Sequence, residues 1–250
     1  MPSPASSTVR PRIALRILGE EIAAQAEVPA HTGTLDQLLP LMLTLDSAAI
    51  DVAVRRNPSG QAVSCAKGCS ACCRAQPVPI TPPEAYALWR IVEAMPEVRR
   101  EEVLTIFAER EAQLEEAGLR DIFLREKPLT NAEHAKQAVA AYVQLKLACP
   151  FLVDDACSIH PQRPFVCRQY LVTSDPALCN DPLHEPVEVV PMPLQPAHAM
   201  LSVTDKFLGL TTGTIPLVLA MAYVARHRNT LEKQVNMKDA LQHWMQQLAG

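Results

Sequence analysis

Half of the eight cysteines in this chain lie within nine residues, at Cys65, Cys69, Cys72 and Cys73. The other four are spread through a proline-rich region further along the chain, at Cys149, Cys157, Cys167 and Cys179. Thiols that are separated by two or three residues can converge on one metal ion or cluster, because their side chains then reach the same point. We therefore predict that the two groups meet around metal, and all eight cysteines are candidate ligands.

The spacing of the first group limits how it can bind. On a continuous helix, Cys65, Cys69 and Cys72 would share one face, but Gly68 makes a break before the last turn the expected structure. Cys72 and Cys73 are adjacent and must point in different directions, so either one is spare or they serve two different metals. We favour one metal site over two. The expected ligands are three thiols of the first group, including Cys72 or Cys73, and three of the second, with Cys179 as a further candidate.

The second group resembles a known family. The pattern C-x3-C-x2-C-C, followed by Cys149-Pro-Phe-Leu and then by Cys157-x-Ile-His160-x-x-Arg163-Pro-x-x-Cys167-Arg, resembles the YkgJ-type cysteine-cluster proteins, which are described as zinc- or iron-chelating domains. The resemblance spans about residues 65–179. It implies metal binding more firmly than any activity. Members are labelled iron–sulfur oxidoreductases, and a flagellin lysine methylase carries a similar cluster. Many members have Tyr at the position of His160, which we interpret as a loop histidine.

Several functions remain open. The clustered spacing favours an iron–sulfur cluster, first of all a 4Fe-4S cluster, with a redox or related enzymatic role, because zinc fingers use two separated pairs of ligands. A zinc-binding structural or interaction module and a protein-lysine methylase are the alternatives, and whether the chain is an enzyme stays open. A radical S-adenosylmethionine enzyme fits less well, because Ala71 stands where those enzymes usually have an aromatic residue.

Composition excludes some functions and favours a compartment. The 250 residues carry a net charge of −4, so the basic footprint of a nucleic-acid binder is missing and we expect no nucleic-acid partner. No secretory signal is visible, which predicts a cytoplasmic protein whose thiols bind metal rather than form disulfides. The apolar run 207–225 is interrupted by glycine and proline, so we expect a core helix and no membrane span. A protein partner is conceivable, and the oligomeric state is open.

The chain as a whole predicts a mainly α fold with an irregular metal-binding insert rich in cysteine and proline. We expect a disordered tail at 1–11 and a single helical domain at 12–250, with the cysteine-cluster region at 65–179 and a C-terminal helical segment at 197–249. The predicted helices are 13–26, 34–56, 82–94, 97–117, 131–147, 197–210, 214–227 and 237–248. The start of the third is marked by Thr81 as cap, Pro82 at the first helical position and Glu84 completing a capping box. Short strands at 151–153 and 187–190 fit the prolines between 149 and 196, which exclude long regular elements.

Overall fold

A computed structural model describes residues 7–127 and 130–248, and within them the chain is mainly helical. This confirms the predicted fold class. The helices in chain order are α1 Leu39–Arg55, α2 Ala71–Ala75, α3 Pro82–Glu93, α4 Glu97–Glu116, α5 Arg120–Phe123, α6 Ala132–Gln144, α7 Phe165–Gln169, α8 Pro196–Leu208, α9 Ala220–Leu231 and α10 Met237–Leu248. Short 3-10 turns precede α1 and α9 and cover His160–Gln162 and Pro176–Asn180.

The strands are short and pair in twos, all antiparallel among the described residues. They are β1 Thr8–Val9, β2 Arg12–Ile17, β3 Glu20–Gln25, β4 Val28–Pro29, β5 Thr32–Gly33, β6 Pro79–Ile80, β7 Leu152–Val153, β8 Ala156–Cys157, β9 Ile215–Pro216 and β10 Val235–Asn236. The pairs are β1 with β4, β2 with β3, β5 with β10, β6 with β9, and β7 with β8. Several pairs join distant parts of the chain, so these short strands connect helices that are far apart in the sequence.

The predicted helix at 13–26 is wrong, because this stretch is the hairpin β2–β3. Its apolar residues alternate along the chain, so that Ile13 and Ile17 of β2 and Ile22 and Ala24 of β3 are buried on one face. A period of two suits a half-buried strand rather than a helix. The connecting turn, Leu18-Gly19, has positive φ at both residues, as a two-residue hairpin turn requires.

The predicted start of α3 is confirmed. Thr81 is the N-cap, Pro82 occupies the first helical position, and the backbone N–H of Thr81 donates to the Glu84 carboxylate at 2.8 Å. Glu84 is fully buried, although charged residues are rarely buried without partners. The Glu84 carboxylate accepts a second hydrogen bond from the Thr81 hydroxyl and a third from the backbone N–H of Phe165, at the start of α7. The cap therefore also fixes the position of α7.

The C-terminal helices form the core together with α1, α3 and α4. Trp244 of α10 is completely buried and donates from its indole to the Pro196 carbonyl at 3.2 Å. The apolar stripe of α10 is thus core rather than a docking surface. The region 207–225 is buried over Ile215 and 217–220, as expected, but it folds as β9, a 3-10 turn and the start of α9 rather than as one helix.

One helical stretch, Leu35–Arg55, is long and apolar enough to cross a membrane by length and composition. Half of its most apolar window is buried inside the protein, where α1 packs against β3 and α7. Core packing therefore accounts for its apolar face. Residues 1–6 and 249–250 of the predicted tail and C-terminal segment lie outside the described residues, whereas Thr8–Val9 pairs with Val28–Pro29.

Candidate metal centre

The two groups of cysteines meet at one cavity with a volume of about 550 Å³. All eight cysteines are free thiols. Seven of them line the cavity: Cys65, Cys69, Cys72, Cys73, Cys149, Cys157 and Cys167. Cys179 is buried and lies outside the lining, behind Tyr170. The structure thus brings together residues that are up to about a hundred positions apart in the chain, as the sequence predicts.

Helix α2 carries the adjacent cysteines and is tied to the β7–β8 hairpin. The Ser70 hydroxyl, at the N-cap of α2, donates to the Asp155 carboxylate at 2.6 Å. Arg74 donates to the Ser70 hydroxyl at 3.0 Å and forms an ion pair with Asp155. Asp154 and Asp155 both have positive φ in the hairpin turn, which brings the carboxylate of Asp155 back over α2. This network sets the orientation of Cys72 and Cys73 relative to the hairpin.

Backbone hydrogen bonds place Cys149 and Cys157 beside Cys73. The N–H of Cys149 donates to the carbonyl of Cys73 at 2.8 Å. Cys157 pairs with Leu152 in the hairpin, and the N–H of Leu152 donates back to the carbonyl of Cys149 at 3.0 Å. Phe151, completely buried, anchors this segment in the core. Three thiols are therefore positioned by main-chain geometry rather than by flexible side chains.

Cys167 lies on α7, which is fastened at both ends. At its start the N–H of Phe165 donates to Glu84 at 2.8 Å. At its end the Gln169 amide donates to the buried Asp46 of α1 at 2.7 Å, and Arg168 donates to the Ser47 hydroxyl at 3.0 Å. A helix of only five residues cannot hold its position alone, so these contacts with α1 and α3 place Cys167 in the cavity wall.

Cys65 and Cys179 are held by a different part of the chain. The Ser64 N–H donates to the Val172 carbonyl at 2.9 Å, and the Val172 N–H points at the Cys65 sulfur at 3.4 Å. The chain continues from there into the 3-10 turn Pro176–Asn180, which packs against α2 and carries Cys179. Gln76, just after α2, donates to the Cys179 carbonyl at 3.4 Å.

The pKa values of the adjacent thiols Cys72 and Cys73 are shifted in opposite directions. The sulfurs of Cys72 and Cys73 are 3.9 Å apart. The hydrogen bond from Cys72 lowers the pKa of Cys73 to about 7, and the positive charges of Arg163 and Arg74 act in the same direction. The same hydrogen bond, together with burial, raises the pKa of Cys72. Of this pair, Cys73 is the thiol that the neighbouring positive charges favour as a thiolate, which is the form that binds metal.

Burial raises the pKa of the other enclosed thiols. It raises the pKa of Cys149 to about 12 and that of Cys167 well above the ordinary value, and the pKa values of Cys157 and Cys179 rise for the same reason. Without metal these sulfurs hold their protons at neutral pH. Metal binding must therefore release protons, and it supplies the charge compensation that burial otherwise denies to thiolates.

Four basic residues near the cysteines have different roles. Lys67 and Arg163 line the cavity, and the Arg163 Nε atom is buried without a hydrogen-bond partner among the described residues. Arg74 is occupied by Asp155, and Arg168 by Ser47 and backbone carbonyls. Lys67 and Arg163 are thus placed in the cavity lining to offset the negative charge of a metal group with thiolate ligands, and Arg74 adds positive charge beside Cys73. The unpartnered guanidinium nitrogen is an observation that fits such a group.

The spacing of the thiols limits the kind of metal group. Around one tetrahedral zinc, with bonds of about 2.3 Å, the four sulfurs lie about 3.8 Å apart. Within residues 7–127 and 130–248, no group of three or more Cys, His, Asp or Glu side chains is close enough to hold a single ion as it stands. In a 4Fe-4S cluster each cysteine binds a different iron, so the sulfurs stand further apart than around one ion. Seven free thiols in one cavity are more than a single ion of either metal binds.

Sequence reasoning missed two residues of the site. Tyr170 lines the cavity beside Cys179, and Gln76 donates to its hydroxyl at 3.3 Å. No local motif marks either residue. His160, interpreted as a loop histidine, is exposed in a 3-10 turn at the rim of the cavity, and its pKa is lowered by the nearby charge of Arg163.

Comparison with known proteins agrees with this site. Residues 64–183 match the model of the family CxxCxxCC, described as "Putative zinc- or iron-chelating domain". The match covers just under half of the 250 residues and includes all eight cysteines. It confirms the resemblance to the cysteine-cluster family, and it supports metal binding without distinguishing zinc from iron. No curated protein and no solved structure matches the chain.

Proposed function

Because residues 64–183 match a metal-chelating family, we propose that this protein carries an iron–sulfur cluster in the cysteine-lined cavity and uses it for electron transfer or related redox chemistry. One observation carries the choice of cluster over single ion. Seven free thiols line a cavity of about 550 Å³, more thiols than the four that one zinc ion binds. Thiolate ligation in a partly enclosed cavity is typical of iron–sulfur sites.

The chain's own residues would hold the group and shape its surroundings. Main-chain hydrogen bonds fix Cys73, Cys149 and Cys157, and the short helix α7 presents Cys167. Apolar side chains form much of the cavity wall and limit access of water. Lys67 and Arg163 add positive charge, which stabilises a more negative, reduced state and so raises a reduction potential. When bound, an iron–sulfur cluster supplies one-electron transfer.

The proposal includes a reducing compartment, the cytoplasm. All eight thiols are free, and thiols at this density form disulfides in oxidising compartments. Reduced thiols are also what cluster assembly requires.

Zinc is the second candidate, and one contact favours it. The Cys72 and Cys73 sulfurs are 3.9 Å apart, close to the spacing of two thiolates on one zinc ion. Zinc would make the site structural, and the helices around it would be the working surface. The methylase alternative gains no such support. Every strand pair among the described residues is two-stranded and antiparallel, unlike the parallel sheet of a Rossmann-type methyltransferase.

Reduction of the anaerobically purified protein tests the redox role. We expect dithionite to bleach visible absorption and to produce an electron paramagnetic resonance signal of a reduced cluster. Cys167→Ser should weaken or shift that signal, and His160→Gln, a matched change at the cavity rim, should leave it intact. A protein with no visible absorption and no signal in either oxidation state would refute the proposal.

A further inference from the structure

We infer that the eight cysteines form two separate metal centres of four thiols each. The first set consists of Cys73, Cys149, Cys157 and Cys167, and the second of Cys65, Cys69, Cys72 and Cys179. The inference rests on the metal-binding part of the proposed function and goes beyond it, because neither the sequence nor the family match assigns a second centre. It also replaces the expectation of one site.

The first set is assembled by the hairpin and α7. Cys149 is hydrogen-bonded through its backbone to Cys73 at 2.8 Å, and the hairpin places Cys157 opposite Leu152, which bonds back to Cys149. Helix α7, which follows the hairpin in the chain, contributes Cys167 to the cavity lining. The three downstream members come from one continuous segment, 149–167, which meets α2 at Cys73.

The second set is assembled by contacts with residues 172–180, which follow α7. Cys65 is held by the backbone of Val172, and the chain runs from there to the 3-10 turn that carries Cys179. That turn packs against α2, and Gln76 donates to the Cys179 carbonyl at 3.4 Å. Cys69 lies in the turn before α2, where its N–H donates to the Ala66 carbonyl at 3.0 Å. Segments 64–72 and 172–179 thus form a second unit.

Helix α2 is the shared element, and its geometry explains the adjacent cysteines. Consecutive residues of a helix point about 100° apart, so Cys73 can face the hairpin while Cys72 faces the turn with Cys179. The resulting division leaves four thiols on each side. Four cysteine ligands are what a closed zinc site or a cubane cluster requires. One centre alone would leave four thiols, including the buried Cys179, without a ligand role.

The two sets meet on α2, where the sulfurs of Cys72 and Cys73 are 3.9 Å apart. The two centres would therefore be direct neighbours.

Native mass spectrometry of the anaerobically purified full chain tests the inference, together with iron, zinc and sulfide analysis. Three single variants are compared: Cys157→Ser from the first set, and Cys65→Ser and Cys179→Ser from the second. We expect two metal groups in the wild type, loss of half the metal in each single variant, and loss of all of it in the double variant Cys157→Ser with Cys179→Ser. His160→Gln is the control and should keep both groups.

The inference is overturned if the wild type holds one metal group, or if Cys179→Ser keeps the full wild-type content. It is also overturned if a single variant that stays helical by circular dichroism loses all its metal. These outcomes are separable from those for the proposed function. Two zinc ions without sulfide would contradict the cluster and support two centres, whereas a single iron–sulfur cluster would do the reverse.

Discussion

The carboxylate of Asp46 is buried in the core of the protein, and we expect its replacement by asparagine to stabilise the protein in a pH-dependent way. Asp46 is 1% exposed, and one of its oxygens accepts from Gln169 at 2.7 Å. The other oxygen has no partner among the described residues. Burial raises the pKa of this carboxyl from 3.8 to about 7, even though Gln169 and the charge of Arg168 oppose the shift.

The direction in which stability changes with pH follows from the number of protons bound in the folded and unfolded states. Between pH 3.8 and about 7 the folded state holds a proton that the unfolded state has lost, so stability falls as the pH rises through this window. The full penalty above that window is about 4 kcal/mol, since each unit of pKa corresponds to about 1.4 kcal/mol. Between pH 6 and pH 8 the same two pKa values give a change of about 1.4 kcal/mol.

The variant Asp46→Asn removes this dependence and keeps an acceptor for Gln169. Urea unfolding of wild type and variant, followed by circular dichroism, should show the variant more stable at pH 8. Its advantage should shrink by about 1.4 kcal/mol at pH 6. Asp51→Asn is the matched control, because Asp51 is exposed on the same helix. A variant that is less stable than the wild type at pH 8, or whose difference does not change with pH, would refute the reasoning.

Three further predictions follow from the core and the thiols. Glu84→Ala removes three hydrogen bonds and leaves the Phe165 N–H buried and unpaired. It should therefore lower the free energy of unfolding in urea by about 3 kcal/mol and lower the metal content. Glu84→Gln should keep most of the stability and most of the metal. Trp244→Ala should cost about 3–5 kcal/mol by the same assay without changing the metal content per folded protein, because Trp244 packs in the core away from the thiols. Metal uptake by the apoprotein should release protons, and metal affinity should weaken as the pH falls, because burial raises the pKa values of Cys149 and Cys167. A metal titration in weak buffer that shows no release of acid would contradict this prediction.

Much of the site could be predicted because its signals are local. The capping motif from Thr81 to Glu84 specifies the start of α3, and the periodic stripe that contains Trp244 specifies a buried helix face. The clustered cysteines indicate metal because no other common chemistry requires that many thiols at such spacing. The prediction that the two groups of cysteines meet followed from the same reasoning, and the cavity shows it.

The remaining features depend on contacts that no local pattern specifies. The hairpin at Arg12–Gln25 was predicted as a helix, although Ile13, Leu15 and Ile17 recur at every second position in the manner of a strand. The direction of Cys72 relative to Cys73 depends on where α2 begins and on the Asp155 network, which joins residues about eighty positions apart. Long-range hydrogen bonds of this kind leave no trace in the spacing of residues.

The iron, zinc and acid-labile sulfide content of the anaerobically purified protein, measured with its absorption spectrum, tests the central claim most directly. The arrangement of thiols predicts a brown protein with iron and sulfide in equal amounts and broad absorption in the visible range. A colourless protein that contains stoichiometric zinc and neither iron nor sulfide would contradict it.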